Sequence, residues 1–130
     1  MIPNLETARK IAEAHCAAWT SHDAEKIASR YATTPDFSIN RGDPMTTRAD
    51  IAEMAAGFIY DFPDLVLSLD TVLAAEKHMV YAWSFQGHYR KNGNFVRFNG
   101  WEEWELDDNL KVATSRGWYD AEDYEQQISD

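Results

Sequence analysis

Apolar residues in the first half of the chain recur three or four positions apart, which is the spacing of an α-helix. A first helix is predicted from Asn4 to about Ser21, with Asn4 as its N-cap. Asp23 is placed to cap a second, short helix, and Thr47 to open a third that Pro63 ends. The pattern therefore predicts three helices before residue 64.

Alternation of apolar and polar residues replaces the helical spacing in the second half of the chain. The predicted strands are a short one at residues 37–39, followed by Leu65 to Leu73, His78 to Tyr89, Phe95 to Leu106 and Leu110 to Tyr119. Asn92-Gly93 is a strong hairpin signal, because these residues accept the positive φ of a type I′ turn. Asp120 can cap a short terminal helix. We expect an α+β domain in which three N-terminal helices pack on a curved, mostly antiparallel sheet.

The length of 130 residues fits one domain over residues 1–130, and 45% hydrophobic residues suffice for a packed core. The chain contains five Trp, six Tyr and six Phe, a high number for this length. Aromatic rings bury large areas, so they must line a core, a pocket or an interface. We expect the fold to enclose one small-molecule pocket.

The net charge of −10 and the absence of a basic run argue against nucleic acid and membrane as partners. Cys16 is the only cysteine, and residues 1–10 lack the features of a signal peptide, so we expect a cytoplasmic protein. No cluster of His, Cys and Asp has the spacing of a metal site, and no Gly-rich loop could hold phosphate. We therefore expect no metal and no cofactor.

The facing of the strands decides which side chains could share a pocket. In the strand from Phe95, one face is mostly apolar and includes Glu102, while the other face is charged, so the first should point inward. In the strand from His78, we expect the small and polar face to point inward. Gln86, His88, Glu102 and Arg116 would then share one cavity. The aromatic face, with Tyr81, Trp83 and Phe85, would lie outside and form a homodimer interface.

Glu102 is the main candidate for general acid/base catalysis, because burial among aromatic rings raises a carboxyl pKa. The alternative is a structural ion pair with Arg116. His88 could relay a proton or bind a substrate carbonyl, or it could simply be hydrogen-bonded to Gln86 or to Tyr side chains. The candidate substrate-binding residues are Gln86, Arg116, Asn40, Trp104, Trp118, Phe98 and Trp19. For Asn40, a role as a turn residue is the stronger alternative.

Several short segments together resemble one known family. They are Trp19 with His22-Asp23, Phe62-Pro63-Asp64-Leu65, Gln86-Gly87-His88, Phe98-Asn99-Gly100-Trp101-Glu102 and Trp118-Tyr119-Asp120. In order and spacing they resemble the SnoaL-like branch of the nuclear-transport-factor-2-like superfamily, over nearly the whole chain. The resemblance implies the cone-shaped, cystatin-like α+β fold of that superfamily.

The resemblance also implies site residues. In the polyketide cyclases of the family, a Gln-x-His pair lies on one strand, and a carboxylate on the next strand is the acid/base of an aldol closure. Gln86, His88 and Glu102 match these positions, with Glu in place of the Asp of the cyclases. The two Asp residues that the related ketosteroid isomerases need correspond to Asn40 and Asn99, so that chemistry is not expected here.

Two classes of function remain open at this point. The first is a cofactor-independent enzyme of the isomerase, cyclase, dehydratase or hydrolase type that acts on a small hydrophobic carbonyl compound, with Glu102 and His88 as catalytic residues. The second is a non-catalytic ligand-binding or dimerisation module of the same fold. A filled cavity would favour dimerisation alone, whereas a pocket carboxyl group that titrates well above its ordinary pKa would favour an enzyme.

Overall fold

The structure is a computed structural model, and it describes residues 4–130. The elements in chain order are α1 (Leu5–Thr20), α2 (Ala24–Ala28), β1 (Tyr31–Ile39), α3 (Arg48–Asp61), β2 (Val66–Ala75), β3 (His78–His88), β4 (Phe95–Leu106), β5 (Val112–Tyr119) and α4 (Ala121–Ile128). The fold class is α+β, as predicted. The described residues form four helices, and the last of them, α4, begins after the cap predicted at Asp120.

The helices begin where the sequence places their caps. Asn4, Asp23, Thr47 and Asp120 each accept a hydrogen bond on the side chain from the backbone N–H three residues further on. Such a bond satisfies one of the N–H groups that have no partner within the helix. These local signals therefore fixed the start of every described helix.

The five strands form one sheet in the order β1-β5-β4-β3-β2. Strands β2 to β5 pair antiparallel, whereas β1 pairs parallel with β5. β1 is longer than the predicted strand at residues 37–39, because residues 31–36 are also extended beside β5, with an irregular register between Tyr31 and Asp36. The sheet is thus mostly antiparallel, as predicted.

The register between β3 and β4 corrects the predicted facing of β3. Tyr81 lies opposite Glu102, and Phe85 lies opposite Phe98. Residues directly opposite each other in an antiparallel pair place their side chains on the same face. Tyr81, Trp83 and Phe85 therefore share the inner face with Glu102 and are buried there. The prediction that these three aromatic residues lie outside, at a dimer interface, is wrong.

The helices cover this same inner face. On α1, His15 packs edge-on against Trp104, and on α3, Phe58 packs against Phe85. On α4, Tyr124 packs against Phe98. The core and any enclosed site consequently lie between the helices and the inner face.

Within residues 4–130, no helix combines the length and apolar character needed to cross a bilayer.

Candidate functional site

A cavity of about 70 Å³, partly open to solvent, lies between the helices and the inner face of the sheet. It is lined by His15, Trp19, Tyr31, Phe37, Ile39, Met54, Phe58, Leu67, Tyr81, Trp83, Phe85, Phe98, Glu102 and Tyr119. Nine of these side chains are the rings of Phe, Tyr or Trp. The walls are therefore largely apolar, and Glu102 is the one lining residue that can carry a negative charge near neutral pH.

Glu102 is held in this wall by a short chain of hydrogen bonds. The Nε1–H of Trp104 donates to Oγ of Ser115 at 2.9 Å, and the hydroxyl of Ser115 donates to Oε1 of Glu102 at 3.2 Å. The Nε1–H of Trp83 donates a longer bond, 3.4 Å, to Oε2. Because both oxygens are engaged by groups on the sheet, the orientation of the carboxyl group is fixed.

The carboxyl group also needs a glycine on the neighbouring strand. Glu102 of β4 lies directly opposite Gly117 of β5. A Cβ atom at position 117 would overlap both carboxylate oxygens. Gly117 therefore makes the space in which the carboxyl group lies against the sheet.

Burial raises the pKa of Glu102 to about 7, and the hydrogen bonds from Trp83 and Ser115 oppose this rise. Burial dominates because an ionised carboxylate loses its hydration among aromatic rings. With a pKa near 7, the protonated and ionised forms are both populated at neutral pH. That is the condition under which a carboxyl group serves as a general acid or base.

His15 also lines the cavity, although the sequence pattern did not mark it as a site residue. It lies one helical turn before Trp19 on α1, and the Nε1–H of Trp19 donates to its Nε2 at 3.2 Å. Burial, assisted by the positive charge of Arg30, lowers the pKa of His15 to about 3. The imidazole is therefore neutral at physiological pH.

Three of the predicted site residues do lie at this cavity. Glu102, Trp19 and Phe98 line it. A fourth, Trp104, is buried behind the wall, where it supports Glu102 through Ser115. These positions follow from the facing of β4 and of α1, which the apolar pattern predicted.

Gln86 and His88 do not lie there. Both are exposed on the outer face of β3, across the sheet from Glu102. Nδ1 of His88 lies 2.6 Å from Oδ2 of Asp64, and the backbone N–H of His88 donates to Oδ1 of the same residue. These bonds lower the pKa of Asp64. The predicted cavity shared by Gln86, His88 and Glu102 is therefore wrong, because β3 has the opposite facing.

Arg116 also points to the outer face, where its Nη2 lies 2.9 Å from Oδ2 of Asp36. The alternative of a structural Glu102–Arg116 pair is consequently wrong as well. Trp118 lies on the same outer face, with the guanidinium of Arg41 5.6 Å from its ring centroid. Neither Arg116 nor Trp118 can touch a molecule in the inner cavity.

Asn40 has the structural role that was the alternative to substrate binding. Its φ of 50° places it in a left-handed turn after β1. Its Oδ1 accepts a hydrogen bond from the backbone N–H of Tyr119 at 3.0 Å. Asn40 thus ties the end of β1 to β5 and does not line the cavity.

No group of three or more His, Cys, Asp or Glu side chains in the described part of the chain is arranged to hold a metal ion. At the cavity, Glu102 and His15 supply a carboxyl and an imidazole group, and Nε2 of His15 is already engaged with Trp19. The carboxyl and imidazole groups of these two residues can transfer protons and form hydrogen bonds within a largely apolar enclosure.

Solved structures of several proteins share this fold. A protein of ketosteroid isomerase-like fold from Catenulispora acidiphila, in complex with trimethylamine, has a TM-score of 0.83 at 16% identity, over 93% of each chain. A putative polyketide cyclase from Xanthomonas campestris has a TM-score of 0.82 at 17% identity, over 98% of this chain and all of the other. An epoxide hydrolase of M. tuberculosis has a TM-score of 0.76 at 13% identity, over 97% and 92%. At such identities, the likeness shows the fold.

No curated protein sequence matches the chain. The model of the SnoaL-like domain, in contrast, matches residues 12–114. The match spans α1 to the start of β5 and so includes His15, Glu102 and most of the cavity wall. The chain belongs to the SnoaL-like domain family.

Proposed function

We propose that this protein is a cofactor-independent acid/base enzyme that acts on a small, uncharged, mostly apolar carbonyl compound. The observation that carries the proposal is the carboxyl group of Glu102, which is 7% exposed, lies in an aromatic cavity and has its pKa raised to about 7. A group with this pKa can accept a proton from carbon and return it at neutral pH. An uncharged ligand is favoured because no Lys or Arg lines the cavity.

The proposed step is proton transfer next to a carbonyl group. The ionised Glu102 takes a proton from the carbon beside the carbonyl, the C–H electrons form a carbon–carbon double bond, and the carbonyl oxygen becomes an enolate oxygen. The protonated Glu102 then returns the proton to carbon or oxygen. An isomerase, a cyclase and a dehydratase can each be built on this step, and the likeness of the fold to that of a putative polyketide cyclase supports the proposal.

A second candidate is non-catalytic binding of a small protonated amine. Nine aromatic rings around one carboxyl group would favour an ammonium ion through cation–π attraction and charge. The structural neighbour from Catenulispora acidiphila contains trimethylamine. This candidate requires Glu102 to stay ionised when the ligand is bound, whereas an acid/base enzyme needs both of its forms.

We further propose that a second copy of the chain covers the outer face of the sheet, and that the protein acts in the cytoplasm. The support for a dimer is that the described helices pack on the inner face and leave Trp101 and Val80 exposed on the other. The support for the cytoplasm is that Cys16, the only cysteine, is a buried free thiol.

The proposed proton transfer can be tested without knowing the natural substrate. Cyclopentanone is a small ketone, and in D₂O the loss of its α-proton signal in ¹H NMR measures proton abstraction directly. We expect the protein to exchange these protons faster than buffer, with a rate that rises with pH through about 7 as Glu102 ionises. Glu102→Gln should reduce the exchange at least about a hundredfold, because it removes the base.

Glu105→Gln is the matched control, because Glu105 is exposed on the outer face of the same strand. This variant should exchange the α-protons of cyclopentanone at the wild-type rate. Equal rates for wild type and Glu102→Gln would disprove the assignment of the base. Exchange no faster than buffer, together with saturable trimethylammonium binding, would favour the binding module instead.

A further inference from the structure

The hydrogen bond between Trp19 and His15 determines where the imidazole of His15 carries its proton. An indole N–H can only donate, so Nε2 of His15 must accept and cannot carry hydrogen. The ring is neutral because burial strongly disfavours its charged form. A neutral imidazole has one N–H, so the proton of His15 is on Nδ1.

This Nδ1–H is a buried donor that has no hydrogen-bond partner among the described residues. His15 is 2% exposed, and aromatic rings surround it: the ring of Trp104 lies 4.9 Å away and that of Tyr31 5.8 Å away, both edge-on. Arg30, whose charge acts on His15, offers only donors. Since buried donors are rarely left unpaired, this one calls for an acceptor atom that the surrounding side chains do not supply.

The same residue forms part of the cavity wall, together with Glu102. Its position is fixed, because the bond to Trp19 within α1 orients the ring. An unpaired N–H on a rigidly held residue of a cavity wall is suited to bind an oxygen atom of a ligand.

We propose that His15 is a second catalytic residue, whose Nδ1–H donates a hydrogen bond to the carbonyl oxygen of the bound compound. This inference rests on the proposed function. When Glu102 removes the α-proton, negative charge develops on that oxygen, and the bond from His15 becomes stronger. His15 keeps its proton throughout, so it stabilises the enolate while Glu102 holds the transferred proton. The ligand is thereby restricted to compounds with an acceptor oxygen beside the reacting carbon.

The first test is independent of any ligand. In ¹⁵N-labelled protein, the chemical shifts and couplings of the imidazole nitrogens distinguish the Nδ1–H tautomer from the Nε2–H tautomer and from the imidazolium ion. We expect His15 to be in the Nδ1–H form at pH 7. Either of the other two forms would overturn the proposal, because no donor would then be positioned as required.

The second test compares two variants of His15 in the exchange of cyclopentanone. Asparagine places its amide nitrogen close to the position of Nδ1, whereas phenylalanine keeps a ring without a donor. We expect His15→Phe to lower kcat for exchange about a hundredfold, as the loss of one oxyanion donor does. His15→Asn should retain most of the activity. Equal activities of His15→Phe and wild type would overturn the proposal.

Binding provides a third readout that a merely structural role would not change. Methylenecyclopentane has the shape of cyclopentanone but lacks its oxygen. His15→Phe should weaken binding of cyclopentanone about threefold to tenfold and leave binding of methylenecyclopentane unchanged. Equal weakening for both compounds would mean that the cavity had collapsed and would count against a specific bond to oxygen.

The outcomes separate the two proposals. If Glu102→Gln abolishes exchange and His15→Phe does not, the role of His15 is disproved and that of Glu102 stands. If wild type exchanges no faster than buffer, the proposed function is disproved, and the catalytic role of His15 with it. Circular dichroism and thermal unfolding establish that each variant is folded. If His15→Phe does not fold, His15→Asn and the tautomer measurement still decide the question.

Discussion

The ionisation of a single residue, Glu102, should make the stability of the whole protein depend on pH. The pKa of its carboxyl group is raised from 4.5 to about 7 in the folded protein. Between these values the folded state binds the proton more tightly than the unfolded state does, so stability falls as pH rises through this window. Below about 4.5 the group is protonated in both states, and its contribution to stability no longer changes with pH.

Glu102→Gln removes this dependence, because a glutamine side chain does not ionise. Relative to wild type, the variant should become more stable by about 2–3 kcal/mol between pH 5 and pH 8, as follows from the size of the pKa shift. Urea unfolding of both proteins at the two pH values measures the difference. Other titrating groups, including His15, are common to both proteins. A constant difference between them would show that the pKa of Glu102 is not raised.

The space for this carboxyl group comes from Gly117 on the neighbouring strand. Gly117→Ala should destabilise the fold by about 1–3 kcal/mol, since the added methyl group forces the carboxyl group out of place. Gly57 of α3 is a matched control, because nothing lies within 4 Å of a Cβ there, and Gly57→Ala should stabilise the helix by up to about 1 kcal/mol. Thermal unfolding compares the two variants, and equal effects would contradict this view of the site.

At the scale of elements, the hairpin of β3 and β4 decides which side chains meet. A two-residue turn at Asn92-Gly93 would pair Lys91 with Asn94 and, further along, Trp83 with Glu102. In the structure Tyr89 pairs with Asn94 instead, a shift of two residues that leaves the facing unchanged. The turn at Asn92-Gly93 alone therefore predicts that Trp83 faces inward with Glu102. Judging each strand only by its own polarity gave the opposite and incorrect facing.

Other parts of the site differ in how far the sequence reveals them. The inward facing of Glu102 follows from the charged residues that alternate with it along β4. His15 lies on the buried face of α1 between Ala12 and Trp19, so its burial could be predicted from helical spacing. The proximity of His15 to Glu102 could not be predicted, because it depends on how α1 lies across the sheet. The missing acceptor at Nδ1 is likewise visible only in three dimensions.

The burial of His15 in α1 should also make the stability of the folded protein depend on pH. Its pKa falls from 6.5 to about 3 on folding, so the folded state resists protonation and stability is lost as pH decreases below about 6.5. From pH 7 to pH 5 this loss amounts to about 2 kcal/mol. For His15→Asn, the free energy of unfolding measured in urea should not show this loss between the two pH values. An equal loss in wild type and variant would show that His15 is not buried in neutral form.

The whole molecule presents two unlike faces of one sheet. Helices cover the inner face, whereas Trp101, 46% exposed, and Val80, 38% exposed, lie on the outer face. The ring of Trp101 stacks on that of Trp118, which widens the aromatic surface. Exposed aromatic area of this kind is typical of a protein–protein interface. This supports a dimer through the outer face, formed by residues other than the three originally predicted.

The dimer can be tested by placing a charge at the centre of this surface. A chain of 14.9 kDa should sediment as a dimer at micromolar concentration, and Trp101→Lys should convert it to a monomer, because a stable interface cannot bury an unpaired charge. Tyr60→Lys is the control, since Tyr60 is 65% exposed but belongs to α3 in the helical layer. A wild-type monomer, or dissociation by both substitutions alike, would contradict the proposed interface. Cyclopentanone exchange by the Trp101→Lys monomer would then tell whether the cavity, which is built from one chain, works without a partner.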